Sequence, residues 1–245
     1  MQVLSIGNSF SADAQRYLHR IARTDGVVLN TCNLYIGGCS LETHHRNMLS
    51  EERVYELQTN GFSTGFKVSV KEALLNRKWD VITLQQASPN SPKYATYQPF
   101  LNVLAEYVRT CQPKAKIAFH RTWAYQQESP RLREVLGYGT HQEMFRDIVD
   151  ATERAAQDIS ADLILPSGDV FQAMLEKGVE SVHRDMHHAH LGVGRYALGL
   201  TWYAVLTGRD VMNNTFNDFD VPISPEEIQI AKESVMEIAP NFRKK

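Results

Sequence analysis

The chain has few cysteines and no long apolar segment. Its three cysteines, Cys32, Cys39 and Cys111, are an odd number without regular spacing, which argues against a disulfide framework. No apolar stretch reaches the length of a membrane-spanning helix. The first residues lack the basic segment and the small-residue cleavage site of a secretory signal. We therefore expect a cytoplasmic protein with reduced thiols and no membrane partner.

The chain also lacks an excess of basic residues. It has 26 lysines and arginines against 28 acidic residues, for a net charge of −2. A nucleic-acid partner requires a basic surface to neutralise phosphates, so none is predicted. The terminal Arg243-Lys244-Lys245 is too short for a basic arm, and we expect a solvated tail. No repeat or low-complexity segment divides the chain, so we predict one domain over residues 1–245.

Short apolar strands alternate with amphipathic helices along the sequence. The predicted strands are Val3-Ile6, Val27-Leu34, Val81-Leu84, Lys116-Phe119 and Leu163-Leu165. The predicted helices are Ala12-Ala22, Val68-Leu75, Phe100-Val108, His141-Ile159, Tyr196-Leu206 and one that begins at Pro225. This alternation predicts an α/β fold, a three-layer α/β/α sandwich with a five-stranded parallel sheet of the flavodoxin-like type. Ligands of such folds bind beyond the carboxyl ends of the strands.

Ser9 lies between the first predicted strand and the first predicted helix. The N-terminus of a helix has unpartnered N–H groups and the positive end of the helix dipole. This environment suits a serine nucleophile, an oxyanion or a bound phosphate. Alternatively, Ser9 or Ser11 caps the helix, which is the commoner role of a serine at such a position.

A base for Ser9 is available far downstream. Asp185 and His188 are three residues apart, so in a turn the carboxylate can hold one imidazole nitrogen and leave the other free for a hydroxyl proton. Alternatively, Asp185 caps the following helix. The neighbouring histidines His183, His187 and His190 do not have the spacing of a zinc motif. We therefore predict no metal and no cofactor.

Three other segments follow predicted strands. Gly37-Gly38 can bring a backbone N–H group close to a ligand, or form an ordinary turn. The amides of Gln85-Gln86 can donate to an oxyanion or bond to loop backbone. Trp123 and Tyr125 can form the wall of a substrate pocket or cover the core. Cys39 has no assignable base, so we interpret it as a small packed residue.

Two of these segments resemble the end motifs of the GDSL/SGNH hydrolases. Ile6-Gly7-Asn8-Ser9-Phe10-Ser11 is similar to the first block of that family, with Asn8 where aspartate is usual, and Asp185-Met186-His187-His188 is similar to the final D-x-x-H block. The chain is most similar to the bacterial branch described as DUF4886, notably at residues 122–125, 191–196 and 202–208. An α/β-hydrolase elbow would instead be G-x-S-x-G in mid-chain.

The resemblance implies a serine esterase. Ser9 would be the nucleophile, His188 the base and Asp185 the residue that orients the base. The substrate would be an acyl ester, acetyl foremost, of a carbohydrate or small molecule.

The resemblance also implies an oxyanion hole made by the N–H groups of Ser9 and Gly38. The family's third block, G-x-N-D, supplies an asparagine as the last donor, and this chain has Gln85-Gln86-Ala87-Ser88-Pro89-Asn90 instead. We expect Gln86 to take the place of that asparagine, with Gln85 or Asn90 as alternatives. Loss of one such donor costs on the order of a hundredfold in rate.

Two other functions remain open at the level of the sequence. A flavodoxin-like module could bind phosphate or a nucleotide at Ser9 and Ser11 without catalysis. A degenerate hydrolase could bind glycans through Trp123 and Tyr125. The distance from Ser9 to His188 discriminates the first of these from an esterase, because a phosphate binder does not need the base.

Overall fold

A seven-stranded mixed sheet forms the centre of the protein. In the computed structural model, which describes residues 1–242, the strand order is β4-β3-β2-β1-β5-β6-β7. The strands are β1 (Gln2–Gly7), β2 (Asn30–Tyr35), β3 (Tyr55–Thr59), β4 (Phe62–Val68), β5 (Val81–Leu84), β6 (Lys116–Arg121) and β7 (Leu163–Pro166). The predicted tail Arg243-Lys244-Lys245 lies outside the described residues.

The five predicted strands form the parallel part of this sheet. β1 pairs with β2 and β5, and the parallel pairing continues through β6 to β7. In sequence order these five strands are arranged 2-1-3-4-5, the flavodoxin-like order, with a switch point beside β1. The predicted α/β class is confirmed, and the carboxyl ends of the five strands share one edge.

The prediction of a sheet with only five strands is wrong. A hairpin of β3 and β4 pairs antiparallel to β2 and extends the sheet on that side. Its turn residues Asn60 and Gly61 have φ angles of 51° and 83°, as a tight two-residue turn requires. Asn-Gly between two strands is a strong hairpin signal, so the sequence contained the evidence for these strands.

Nine helices of the described residues cover the two faces of the sheet. α1 (Ser9–Gln15), α2 (Leu18–Thr24), α7 (Ser167–Glu176), α8 (Val193–Thr207) and α9 (Pro225–Ile238) lie on one face. α3 (Leu41–Ser50), α4 (Val70–Leu75), α5 (Phe100–Cys111) and α6 (His141–Asp158) lie on the other. The helix predicted over Ala12-Ala22 is in fact the end of α1 followed by α2, and α3 and α7 were not predicted.

Alternating side chains of the strands fill two apolar cores. In β1, Val3 packs under α1 and α8, whereas Leu4 and Ile6 pack on the opposite face. Because both faces are covered, β1 has apolar residues facing both ways, and its one fully buried polar side chain, Ser5, is hydrogen-bonded to Gln15 and Thr83. Within residues 1–242, no helix is both long and apolar enough to cross a membrane. The most apolar helix, α8, is a 15-residue core helix with most of its side chains buried.

Candidate active site

Ser9 is the first residue of α1, immediately beyond the carboxyl end of β1. The cap of this helix is formed by its neighbours: the Asn8 side chain accepts the Phe10 N–H at 2.9 Å, and the Ser11 hydroxyl accepts the Asn8 N–H at 3.0 Å. A Cβ at Gly7 would lie 2.0 Å from the Ser11 hydroxyl oxygen, so only glycine fits before this cap. Ser9 therefore takes no part in capping, and its hydroxyl is available for another role.

Asp185 and His188 lie in the loop that precedes α8. One carboxylate oxygen of Asp185 accepts the His188 backbone N–H at 2.7 Å, and the other lies 2.7 Å from His188 Nδ1. Between them Met186 has a left-handed backbone with φ 68°, which turns the chain back on itself. Because α8 begins at Val193, Asp185 is not its cap. Burial acts to raise the pKa of Asp185, but the hydrogen bonds from His188 hold it well below its usual range.

The structure brings Ser9 to this pair. The Ser9 hydroxyl oxygen lies 2.9 Å from His188 Nε2, across 179 residues of sequence. The imidazole therefore touches the serine with one nitrogen and the carboxylate with the other. A hydroxyl, an imidazole and a carboxylate linked in this way have the geometry of the Ser-His-Asp triad. A phosphate-binding helix N-terminus does not require it.

A buried carboxylate that was not predicted from the sequence, Asp13, joins the two halves of the site. Asp13 in α1 is 2% exposed and accepts from Arg184 Nη1 at 3.0 Å and from Arg195 Nε at 2.8 Å. It also accepts the Ala189 N–H at 3.2 Å. These contacts fix both ends of the loop that carries His188 against the helix that carries Ser9. In the sequence, Asp13 is distinguished only by its position four residues after Ser9, on the same helix face, and that spacing does not indicate its distant partners.

Ser9 opens into a cavity of about 330 Å³. Its wall is formed by Ser9, Tyr35, Gly37, Gly38, Ser88, Pro89, Tyr125, Arg131, His187 and His188. Gly38, the predicted oxyanion donor, has a left-handed backbone with φ 64° and lies on this wall. The N–H of Ser9, in the first turn of α1, has no partner inside the helix. Two candidate oxyanion donors therefore belong to one cavity.

Gln86 is not on this wall, which corrects its predicted role. Its carboxamide oxygen accepts the N–H groups of Leu41 at 3.0 Å and Ala87 at 2.8 Å. Its amide nitrogen donates to the carbonyl and the hydroxyl of Thr96, at 3.0 and 3.2 Å. All of these bonds organise loops, so the amide has no hydrogen left for an oxyanion. Neither alternative, Gln85 or Asn90, lines the cavity.

Gln85 belongs instead to a buried chain of hydrogen bonds behind the site. Its amide donates to Asn8 Oδ1 at 2.7 Å, and its oxygen lies 3.0 Å from His120 Nδ1. Burial lowers the pKa of His120 to about 3, so this imidazole is neutral. Asn8 Nδ2 in turn donates to the Cys39 carbonyl at 3.1 Å. An amide at position 8 therefore both caps α1 and holds the Gly37-Gly38 turn nearby.

Trp123 also differs from its predicted role as a wall of the substrate pocket. It is fully buried, stacks on Phe10 at 4.0 Å, and donates its indole N–H to the His187 carbonyl at 2.8 Å. It faces a neighbouring cavity of about 350 Å³ and not the one that contains Ser9. Tyr125 lines both cavities and stands between them. Trp123 therefore packs beneath the loop of His187 and His188, and only Tyr125 of these two aromatic residues lines the cavity of Ser9.

The remaining histidines and Cys39 are structural or peripheral. His190 Nδ1 accepts the Gly192 N–H at the start of α8, and His183 Nε2 bonds to a backbone carbonyl. In residues 1–242, Asp185, His187 and His188 form the one group of three possible metal ligands. A metal there would compete with the contact of His188 to Asp185. Burial raises the pKa of Cys39 to about 12, so its thiol is not an activated nucleophile.

Comparison with known proteins defines the family. The model of the family described as "Domain of unknown function (DUF4886)" matches residues 2–238. This chain belongs to the DUF4886 family. A crystal structure of a DUF4886 family protein from Bacteroides uniformis is 32% identical, covers 100% of this chain and 97% of that one, and superposes with a TM-score of 0.91. A search of the curated proteins found no match.

More distant structures share the fold. A proposed SGNH hydrolase from Slackia heliotrinireducens is 22% identical, with 84% of this chain and 98% of that chain covered and a TM-score of 0.61. A mutant of Axe2, an acetyl-xylooligosaccharide esterase from a Geobacillus species, is 12% identical, with 82% of this chain and 91% of that chain covered and a TM-score of 0.54. This DUF4886 chain therefore has the fold of the SGNH hydrolases, as its end motifs predicted.

Proposed function

We propose that the protein is a serine esterase that hydrolyses acyl esters, acetyl foremost, of a carbohydrate or small molecule. The observation that carries the proposal is the relay from Ser9 to His188, at 2.9 Å, and from His188 to Asp185, at 2.7 Å. General-base assistance requires this hydrogen-bond reach before any other property. The relay opens directly into a cavity of about 330 Å³, which is enough for a small ester.

In the proposed reaction, Ser9 Oγ attacks the ester carbonyl carbon while His188 Nε2 accepts the hydroxyl proton. The Asp185 carboxylate, bonded to Nδ1, stabilises the imidazolium that forms. Collapse of the tetrahedral intermediate breaks the ester bond, and His188 returns the proton to the leaving alcohol. Water, activated by the same imidazole, then releases the acyl group from Ser9.

The oxyanion in this proposal is held by the backbone N–H groups of Ser9 and Gly38. The side-chain amide of Gln86, the predicted third donor, is hydrogen-bonded to Thr96, so no third donor is included. Because one donor contributes roughly a hundredfold or more to the rate, we expect slower turnover than from a site with three. The acetyl and carbohydrate parts of the proposal are suggested by the neighbour described as an acetyl-xylooligosaccharide esterase.

Turnover of 4-nitrophenyl acetate by wild type and Ser9→Ala tests the proposal. We expect the substitution to lower kcat by at least about a thousandfold, because the remaining groups cannot supply a nucleophile. Ser63→Ala, on the edge strand β4, is the matched control and should retain full activity. A fluorophosphonate should add its mass to wild type but not to Ser9→Ala. Equal turnover by wild type and Ser9→Ala would remove Ser9 as the nucleophile.

A further inference from the structure

The cavity at Ser9 is lined by basic side chains and by no acidic one. Its ten residues include no carboxylate, whereas they include the Arg131 guanidinium and the imidazoles of His187 and His188. Within residues 1–242, Arg131 forms no ion pair at 4.0 Å or less. By contrast Arg121, ten residues earlier, is paired with Asp169 at 2.9 Å. A cation that faces a cavity without a protein counter-charge is available for an anionic ligand.

Contacts place Arg131 on the histidine side of the cavity. Burial raises the pKa of Tyr125, and the Ser88 hydroxyl and the Arg131 guanidinium oppose that rise, so Arg131 lies near the phenol. The Tyr125 ring is 5.7 Å from that of His187, which is 4.1 Å from that of His188. In the proposed reaction His188 protonates the leaving alcohol. Arg131 therefore lies on the side of the alcohol half of the ester.

The segment that presents Arg131 is anchored. Arg131–Val135 is a single π-helical turn after Pro130, a feature often found at functional sites. The next side chain, Leu132, is fully buried, and its N–H donates to the Ser129 carbonyl at 3.1 Å. The position of the Arg131 backbone is therefore fixed, although its side chain reaches into solvent at the cavity.

Two hydroxyls complete the arrangement. Ser88 Oγ and Tyr125 Oη are 2.9 Å apart, and only one of them donates in that bond. The other hydroxyl proton is free to bind an acceptor in the cavity, beside the guanidinium. A guanidinium with adjacent hydroxyl donors is well suited to a carboxylate, a phosphate or another anion, which gains charge-assisted hydrogen bonds.

We propose that Arg131, with the Ser88 and Tyr125 hydroxyls, forms an anion subsite, and that the preferred substrate is an ester whose alcohol half carries a negative charge. This inference rests on the proposed esterase function and narrows its substrate class. Arg131 sets specificity by binding the charged leaving group. It takes no part in proton transfer.

The test compares two acetate esters that differ in charge but little in shape, 3-acetoxybenzoate and 3-acetoxybenzamide. The ratio of their kcat/KM values is measured for wild type, Arg131→Gln, Arg131→Lys and Arg133→Gln. We expect Arg131→Gln to lower the preference for the anion about tenfold, as for one charge-assisted contact. Arg131→Lys should retain part of the preference, because the charge remains without the planar fork. Added salt should weaken the wild-type preference.

Arg133→Gln is the matched control, since it removes the same charge from the same turn at a residue that does not line the cavity. The inference is overturned if Arg131→Gln and Arg133→Gln leave the same ratio, or if wild type does not favour the anion. An equal loss of activity toward both esters in Arg131→Gln would also overturn the inference, because a purely structural role would lower both activities alike.

A binding measurement separates this inference from the esterase proposal. Calorimetric titration of wild type with 3-hydroxybenzoate and 3-hydroxybenzamide requires no turnover. We expect the acid to bind more tightly than the amide, and the substitution Arg131→Gln to weaken binding of the acid about tenfold. If neither ester is hydrolysed and no fluorophosphonate label forms, the esterase proposal fails, while selective binding of the acid by Arg131 still supports the subsite. Equal binding of the acid by wild type and Arg131→Gln refutes the anion subsite.

Discussion

Replacement of Asp13 by asparagine should loosen the loop that carries His188. Asp13 is 2% exposed and accepts hydrogen bonds from Arg184 and Arg195, whose side chains are 27% and 18% exposed. Asparagine has the same shape but no charge. Removal of one partner of a buried ion pair typically costs about 3–5 kcal/mol.

The expected cost here is smaller because each arginine keeps a second acceptor. Arg184 also donates to the Ala189 carbonyl at 2.6 Å, and Arg195 donates to Asp220 at 2.7 Å. Both arginines are also partly hydrated. We therefore expect the free energy of unfolding to fall by about 2 kcal/mol, which is roughly a thirtyfold change in the unfolding constant.

Urea denaturation and ester hydrolysis measure the two consequences of Asp13→Asn. Under conditions in which the variant is folded, kcat should fall by about tenfold or more while KM changes little, because a displaced His188 impairs proton transfer more than binding. Asp218→Asn is the control. It breaks the ion pair between Arg20 and Asp218, and because the Asp218 side chain is 74% exposed, the free energy of unfolding should change by less than about 0.5 kcal/mol. A variant Asp13→Asn with wild-type stability and wild-type kcat would refute the reasoning.

Two further substitutions test the groups around the site. Asn8→Asp should lower stability by about 1–3 kcal/mol in urea denaturation, because a carboxylate would face the Cys39 carbonyl that now receives the Asn8 amide at 3.1 Å; unchanged or higher stability would contradict this. The Arg16 guanidinium beside Asp220 holds the pKa of that carboxyl at about 2, below its value near 3.9 in the unfolded chain. Because the folded-state pKa is depressed, the stabilisation is complete above about pH 4 and is lost as the pH falls toward 2. Asp220→Asn should therefore be about 1–2 kcal/mol less stable than wild type at pH 7, with a difference that shrinks across that range; a constant difference from pH 7 to pH 2.5 would exclude this linkage.

The parts of the fold that are determined by local pattern were predictable. The β5 strand Val81–Leu84 was predicted with its observed bounds, since a short apolar run buried on both faces has a clear signature. The β3–β4 hairpin was missed because β3 is only half-buried and β4 is mostly exposed, so both strands are less apolar, although Asn60-Gly61 is a turn signal between them.

The site was predictable where its contacts are close in sequence or belong to a motif. The pairing of Asp185 with His188 depends on a turn of three residues and could be inferred directly. The role of Gln86 could not, because a buried amide bonds to whichever loop lies closest, and here that is the segment around Thr96. The Asp13 contacts join residues more than 170 positions apart, and no local pattern specifies them.

The separation of 179 residues between Ser9 and His188 has a consequence during synthesis. The chain is made from its N-terminus, so Ser9 leaves the ribosome long before His188 and before Arg195 and Asp220, which hold the loop in place. A nascent chain that ends before His188 contains Ser9 without the imidazole that contacts it in the folded protein. The contact between Ser9 and His188 can therefore form only after the last quarter of the chain has been made and has docked on α1.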